Sequence, residues 1–475
     1  MRRGENQKTQ KNENKSKDRN RIGIRKTLNL DFNKEFIDTF SDNIENRNIN
    51  FINQSLKDLH EADIANLIEN LNPDTRTKLI EIESFNIEPE IFIELNESVQ
   101  SEVLQLLSID SLIKIIKRLE SDNAIKILEN LPINTKEQVL EKLPPKDKFL
   151  LQEGLSYPED SAARIMQREF TAVPSNWTVG QTIDYLREDK DLPEEFLEIF
   201  IVDNDFKPIG TVPSSRVLRT SRDSQMNSIM SEMPVLISVN MDQEEVGHAF
   251  ENYNLVSAGV VNKENKLVGM ITADDVVTVV QEEAEEDTLR LAGVGDEEIT
   301  DSVMLKTKRR FNWLLLNLFT ALLATWVISF FGASIEQMVA LAFLMPIVAS
   351  MGGNAGMQTL AVTIRAIATK ELSKSNFNRV VGKEFLIGIL NGIIFAIITA
   401  IIVQFWFKDI NLSILIGISM ILNMIVAGLF GILVPVSLKK LNIDPALASS
   451  VFVTTITDVI GFLSFLGLGS IYFLN

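Results

Sequence analysis

The chain has 475 residues, a formal net charge of −18, no cysteine and only two histidines, His60 and His248. Its length allows about three domains, and the acidic balance excludes nucleic acid as a partner, because phosphate binding needs clustered Lys and Arg. The missing thiols exclude disulfides and cysteine nucleophiles, and two distant imidazoles make a poor transition-metal centre.

Residues 1–45 read as a disordered basic tail, with Arg2, Arg3, Lys8, Lys11 and Lys15 among its cations. No apolar run follows, so it is not a secretory signal. It is read as a solvated tail, with contact to anionic lipid as the alternative. Residues 46–156 follow as short amphipathic helices. Within them Asp63-Ile-Ala-Asn-Leu-Ile-Glu-Asn-Leu71 is echoed by Asp122-Asn-Ala-Ile-Lys-Ile-Leu-Glu-Asn-Leu131, the mark of a helical superhelical array with no catalytic constellation.

After Tyr157-Pro158 short strands alternate with helices. Phe196–Val202 and Pro208–Val212 flank the turn Asp203-Asn-Asp205, and Ser257–Val261 and Lys266–Ile271 repeat the arrangement around Asn262-Lys-Glu-Asn265. Two copies of a βαββα unit are expected, at 157–220 and 221–280, with Thr272 capping the last helix. The second copy leads into an acidic connection at 281–310. On a helix Asp275, Glu282 and Glu286 share one stripe, with Glu283 and Asp287 beside it. Acids so crowded repel one another unless cations neutralise them. A solvated face is the ordinary reading of such a run, but its position before the first apolar span favours a cation-sensing switch.

From residue 311 to the end the chain is mostly apolar. Charge-free stretches at 311–332, about 337–351, 385–407, 412–437 and 446–473 read as five spans. The second is open to extension past its glycine motif toward Ala368. Basic residues cluster before the first span, between the second and third, and between the fourth and fifth. With five spans all three clusters share one side, the cytoplasm, so the N-terminal half lies inside and the C-terminus outside an inner, bacterial-type cytoplasmic membrane.

Two features interrupt the apolar bundle. Asp458 lies mid-span in VFVTTITDVIGFLSF, where an acid costs about 2.5–3.5 kcal/mol on insertion scales and needs a partner or a watery path. The alternative is a protonated, hydrogen-bonded structural Asp. Thr454, Thr455 and Thr457 stand ready to supply hydroxyls, and Asn391 and Asn423 read as contacts between helices. The stretch Pro346 to Gln358, with Gly352, Gly353, Asn354 and Gly356, is expected to break the second span and free carbonyls as ligands for a hard cation.

Both motifs resemble those of the MgtE family of Mg²⁺ transporters and channels. Pro, five residues, then Gly-Gly-Asn-x-Gly-x-Gln is similar to Pro346–Gln358, and Thr-Thr-x-x-Asp-x-x-Gly-Phe is similar to Thr454–Phe462. The resemblance implies a multidomain fold: an α-helical superhelical N domain, α/β tandem CBS domains, an acidic connecting helix and an all-α five-helix transmembrane domain.

It further implies a homodimer in the lipid bilayer with a pore on its two-fold axis, in which Asp458 of both subunits selects Mg²⁺. Asp444 matches an acid at the cytosolic end of the pore. Asp275, Glu283, Glu286 and Asp287 match regulatory Mg²⁺ ligands. Mg²⁺ is then both substrate and regulator, and ATP at the CBS domains is a candidate because some members bind it. Asn254, Gly259 and Asn262 depart from the family pattern, which often has Asp at the first and Pro and Asp at the others. The implied function is Mg²⁺ import, shut by internal Mg²⁺, without enzymatic activity. Alternatives are transport of Mn²⁺, Co²⁺ or Ni²⁺, or a membrane Mg²⁺/nucleotide sensor that transports nothing.

Overall fold

A computed structural model describes residues 32–57, 59–82, 88–190, 192–193, 196–294 and 303–473. The chain divides after Asp275 into two compact units. Among the described residues of the first unit the first helix is α1 (Lys34–Glu45), which falls within the stretch 1–45 expected as a disordered tail. A helix forms there because Phe32, Phe36 and Phe40 stack at four-residue intervals, and Phe40 and Ile44 are buried. Residues 1–31, which hold the expected basic tail, lie outside the described residues.

Short helices follow: α2 (Ile49–Leu56), α3 (Glu61–Asn70), α4 (Pro73–Ile80), α5 (Pro89–Glu94), α6 (Glu97–Leu106), α7 (Ile109–Ile116), α8 (Ser121–Glu129), α9 (Ile133–Lys142) and α10 (Pro145–Leu155). The internal echo holds structurally. In α3 and just after it, Ile64, Ala65, Leu67, Ile68 and Leu71 are buried, and Ala124, Ile125, Ile127, Leu128 and Leu131 repeat that pattern around α8. Buried Arg76 donates to the carbonyls of Ile68 at 3.1 Å and Leu71 at 3.0 Å, closing the C-terminus of α3.

The expected βαββα units are both present. The first comprises β1 (Ala172–Pro174), α11 (Val179–Glu188), β2 (Glu198–Val202), β3 (Pro208–Pro213) and α12 (Ser214–Arg219), followed by the short α13 (Met226–Ile229). The second comprises β4 (Ile237–Ser238), α14 (Gln243–Tyr253), β5 (Ser257–Val261), β6 (Leu267–Thr272) and α15 (Ala273–Leu291). In each three-stranded sheet the first pair is parallel and the second antiparallel. Phe200 and Val202 of β2 pack with Leu267 and Met270 of β6, joining the two modules.

The acidic helix α15 starts directly after β6 and ends at Leu291, with Gly293 just beyond it at a φ of +73° that suits the left-handed turn closing a helix. Beyond it are α16 (Val303–Ser329), the short α17 (Gly332–Gln337), α18 (Ala340–Ala368), α19 (Phe377–Phe407), α20 (Ile410–Lys440) and α21 (Pro445–Phe473). Five of these are long and apolar enough to cross a membrane. At 1.5 Å per residue they measure about 40–46 Å, against a hydrocarbon core of about 30 Å.

Candidate functional site

Asp458 is the fourteenth of the 29 residues of α21, so it sits close to the helix middle. It is half-buried and makes no hydrogen bond or ion pair with any described residue. The expected hydroxyl partners are spent elsewhere. Thr454 donates to the Ser450 carbonyl at 2.8 Å, Thr455 to that of Val451 at 2.6 Å, and Thr457 to those of Val453 and Thr454 at 3.0 and 2.9 Å. A threonine hydroxyl in a helix finds the preceding turn before it finds a neighbour.

The expected helix break is not there. Helix α18 runs unbroken through Pro346 and the glycine motif, as the extended reading of the second span anticipated. Proline removes the donor for the carbonyl of Ala342 only, so the remaining carbonyls stay in the helix. The glycines serve close packing instead. A Cβ on Gly352 would lie 2.1 Å from the Asn423 side chain, and one on Gly356 would lie 2.6 Å from Val453. Asn423 occupies that space and donates to the Val348 carbonyl at 2.8 Å, the contact between helices expected of it. Asn354 and Gln358 are exposed.

The acids of α15 fall into two groups rather than one switch. Asp275 and Glu286 are eleven residues apart, about 16 Å along a helix, too far to share one ion. Asp275 lies instead with residues of the helical array. Gln167 donates to Glu120 at 3.0 Å and to Asp275 at 3.3 Å, and Thr272 donates its hydroxyl to Asp275. Asp122 lies close enough for Asp275 to act on its charge. It is 7% exposed, and its Oδ1 has no hydrogen-bond partner. Burial, reinforced by Asp275 and Glu120, pushes Asp122 well above the usual carboxylate range. Burial likewise raises Asp275. Asp122 was missed in the sequence. Its place in the echo is visible, but its burial depends on a partner 153 residues away.

The other group lies at the far end of α15. Glu283, Glu286 and Asp287 are half-buried, whereas Glu282 is exposed. Arg290 bridges Glu286 on its own helix and Asp444 at the start of α21. Asp444 also caps α21, accepting from the Ala446 amide at 2.8 Å, with Pro445 in the first turn. Burial, with Asp444 and Glu283 nearby, raises Asp287 above its ordinary range. Leu291 packs with Leu360, Ile364 and Ala446, fixing the end of α15 against α18 and α21. Among the described residues no three Asp, Glu or His side chains converge tightly enough to hold a bare ion.

The three departures have local explanations. Asn254 closes α14 in the left-handed region at φ +49°, a conformation asparagine tolerates. Asn262 accepts from the amides of Glu264 and Lys266 at 2.9 and 3.0 Å, as Asp203 accepts from Asp205 and Lys207 at 2.9 and 2.8 Å. A Cβ on Gly259 would press on Leu267, Met233 and Phe200 at 3.0–3.2 Å, where the two modules meet. His60 is an exposed N-cap, accepting from the Ala62 amide at 3.2 Å.

A helical array, paired βαββα modules and five apolar spans, one carrying a mid-span acid, define a multi-pass membrane protein with polar modules ahead of its spans. Residues 345–468 match the MgtE divalent cation transporter family, residues 59–160 the MgtE intracellular N domain, and residues 162–223 and 226–282 the CBS domain. The magnesium transporter MgtE of Bacillus subtilis (strain 168) is 31% identical over 319 residues, covering 67% of this chain and 71% of that protein. The magnesium transporter MgtE of Enterococcus faecalis (strain ATCC 700802 / V583) is 30% identical over 322 residues, covering 68% and 71%. A solved structure, the cytosolic domain of the Mg²⁺ channel MgtE in complex with ATP, is similar with a TM-score of 0.47 at 23% identity. It covers 51% of this chain and 99% of that one. The chain belongs to the MgtE family.

Proposed function

We propose that this protein imports Mg²⁺ across the cytoplasmic membrane as a homodimer, with Asp458 of each subunit facing a common pore. The observation that carries this reading is a half-buried carboxylate at mid-span whose neighbouring hydroxyls are all committed to backbone carbonyls. Such an acid needs a counter-charge, and no described residue of its own chain supplies one. Mg²⁺ sheds water reluctantly, so two carboxylates across an axis grip the hydrated ion without stripping it. The membrane potential draws the ion inward at about 2.3 kcal/mol per charge per 100 mV.

Closure is a population shift. In the absence of metal, Asp122, Asp275 and Glu120 repel one another, while Arg290 holds Glu286 and Asp444. Internal Mg²⁺ binds the arrangement that brings these acids closest and so favours the shut state. With five spans and the basic connections inside, the polar half faces the cytosol and the C-terminus lies outside.

Uptake into proteoliposomes, measured against internal Mg²⁺, tests both parts. Wild-type protein should carry Mg²⁺ and shut as internal Mg²⁺ rises, and Asp458→Ala should carry almost none. Equal flux from the two would remove Asp458 from the pore. Competition with Mn²⁺, Co²⁺ and Ni²⁺ ranks the alternative cargoes. Adding ATP tests the CBS modules: a shift in the Mg²⁺ needed for closure would establish nucleotide binding, and no shift would remove it.

A further inference from the structure

Glu384 is a second acid within the apolar helices. It is the eighth residue of α19, about 10 Å from the helix start, and was passed over in the sequence because Lys383 precedes it and the apolar run begins at Phe385. Opposite it, Thr359 of α18 donates to its Oε2 at 3.1 Å. No described cation pairs with it, and neighbouring Lys383 is exposed.

Glu384 borders a cavity of about 160 Å³ between α18, α19 and α20, also lined by Gln358, Asn391, Gly388 and Gly428. The glycines shape it. A Cβ on Gly428 would stand 3.0 Å from the Glu384 carbonyl, and one on Gly388 would stand 2.9 Å from that of Met424. The backbones of α19 and α20 therefore touch, and the remaining space lies toward α18. Residues 355, 358, 359 and 362 of α18 form one helical stripe along it. Gly353 and Gly356, which approach Thr457 and Val453 of α21, lie on a different face. The cavity is thus separate from the surroundings of Asp458.

A carboxylate, two side-chain amides and a hydroxyl share the wall of this cavity with Ala355, Val362, Ile387 and Met424, around room for several waters and with no positive group among its lining residues. Glu384 stands at the edge of the apolar run with no described cation beside it, and an acid so placed is satisfied by water or a cation in the cavity it borders. We propose that this cavity is a second cation site, in which Glu384 holds a hydrated divalent ion through retained waters, assisted by Thr359, Gln358 and Asn391. The proposal rests on the reading of the protein as a handler of divalent cations. An ion there neutralises Glu384 and ties α18 to α19, steadying the helix that carries the glycine motif.

The test counts Mn²⁺ bound per chain, by electron paramagnetic resonance, on the full-length protein in lipid nanodiscs. Glu384→Gln should bind one Mn²⁺ fewer than wild type, and Thr359→Val and Asn391→Leu should weaken one site several-fold. Gel filtration checks that each variant is folded. If Glu384→Gln is not, the other two variants carry the test. An unchanged count and affinity in every folded variant would overturn the proposal. Full displacement of that one Mn²⁺ by an equal concentration of Na⁺ would overturn its assignment to a divalent ion. The count does not depend on transport, so failure of Mg²⁺ uptake would sink the pore reading while leaving this result legible.

Discussion

Asp122 lies among acids of its own chain, with Asp275 and Glu120 raising its proton affinity and one oxygen lacking a hydrogen bond. Asp458 has no charged partner among the described residues. Both are withdrawn from bulk water, and the difference lies in where relief can come from. A crowded buried cluster is relieved locally, by a proton or by a cation bridging its members, and so reports on the ion concentration around it. A lone acid at mid-span is relieved only by something from outside the chain, a second subunit or a passing ion. In the proposed mechanism the first arrangement senses and the second conducts.

This contrast can be broken most sharply by charge removal. Asp458→Asn should reduce Mg²⁺ flux by about a hundredfold, given the attraction between a divalent ion and a carboxylate in a poorly screened site. Asp122→Asn should leave the open-state flux intact. If Asp122→Asn lost flux equally, the division of labour would collapse. In the same assay Asp122→Asn and Asp275→Asn should each raise the internal Mg²⁺ needed for closure by about tenfold, a coupling of ordinary allosteric size.

Proton linkage gives a second handle. Asp122, Asp275 and Asp287 all lie above their ordinary range, chiefly through burial. The folded protein therefore binds more protons than the unfolded chain from an unfolded value of about 3.9 upward. Stability of the metal-free protein should fall as pH rises through that window to the raised folded values, and Mg²⁺ should offset the loss. Thermal unfolding followed by circular dichroism with and without Mg²⁺ measures this, and a stability that instead rose with pH over that window would contradict the buried cluster. The smallest effect is expected at Arg290, whose ion pairs are partly exposed. Arg290→Gln should lower the Mg²⁺ needed for closure only a few-fold, because such pairs contribute little beyond about 1 kcal/mol. A higher Mg²⁺ requirement would show that Arg290 supports the ion rather than competing with it.

The fold was legible wherever composition or periodicity carried it. Charge-free stretches marked the five spans, the turns around Asp203 and Asn262 marked the hairpins, and the echo at Asp63 and Asp122 marked the helical array. What was misread depended on tertiary partners. Proline and glycine predict a break by local propensity, but in α18 the glycines admit Asn423 and Val453, and packing keeps the helix whole. The acids of α15 lie on one helix, yet one end belongs with Asp122 and the other with Arg290 and Asp444. No spacing along the chain could reveal those associations. Glu384 was hidden for a simpler reason: a neighbouring lysine disguised an acid within a helix as part of a connection.

The proposed paired site at Asp458 is tested most directly by locating the ion. A structure of the full-length protein in lipid with Mn²⁺, read by anomalous scattering, should show a metal on a two-fold axis between two Asp458 carboxylates, with water between ion and oxygen. Asp458 side chains turned toward lipid, or a dimer axis free of metal while Mn²⁺ is bound elsewhere, would contradict the account.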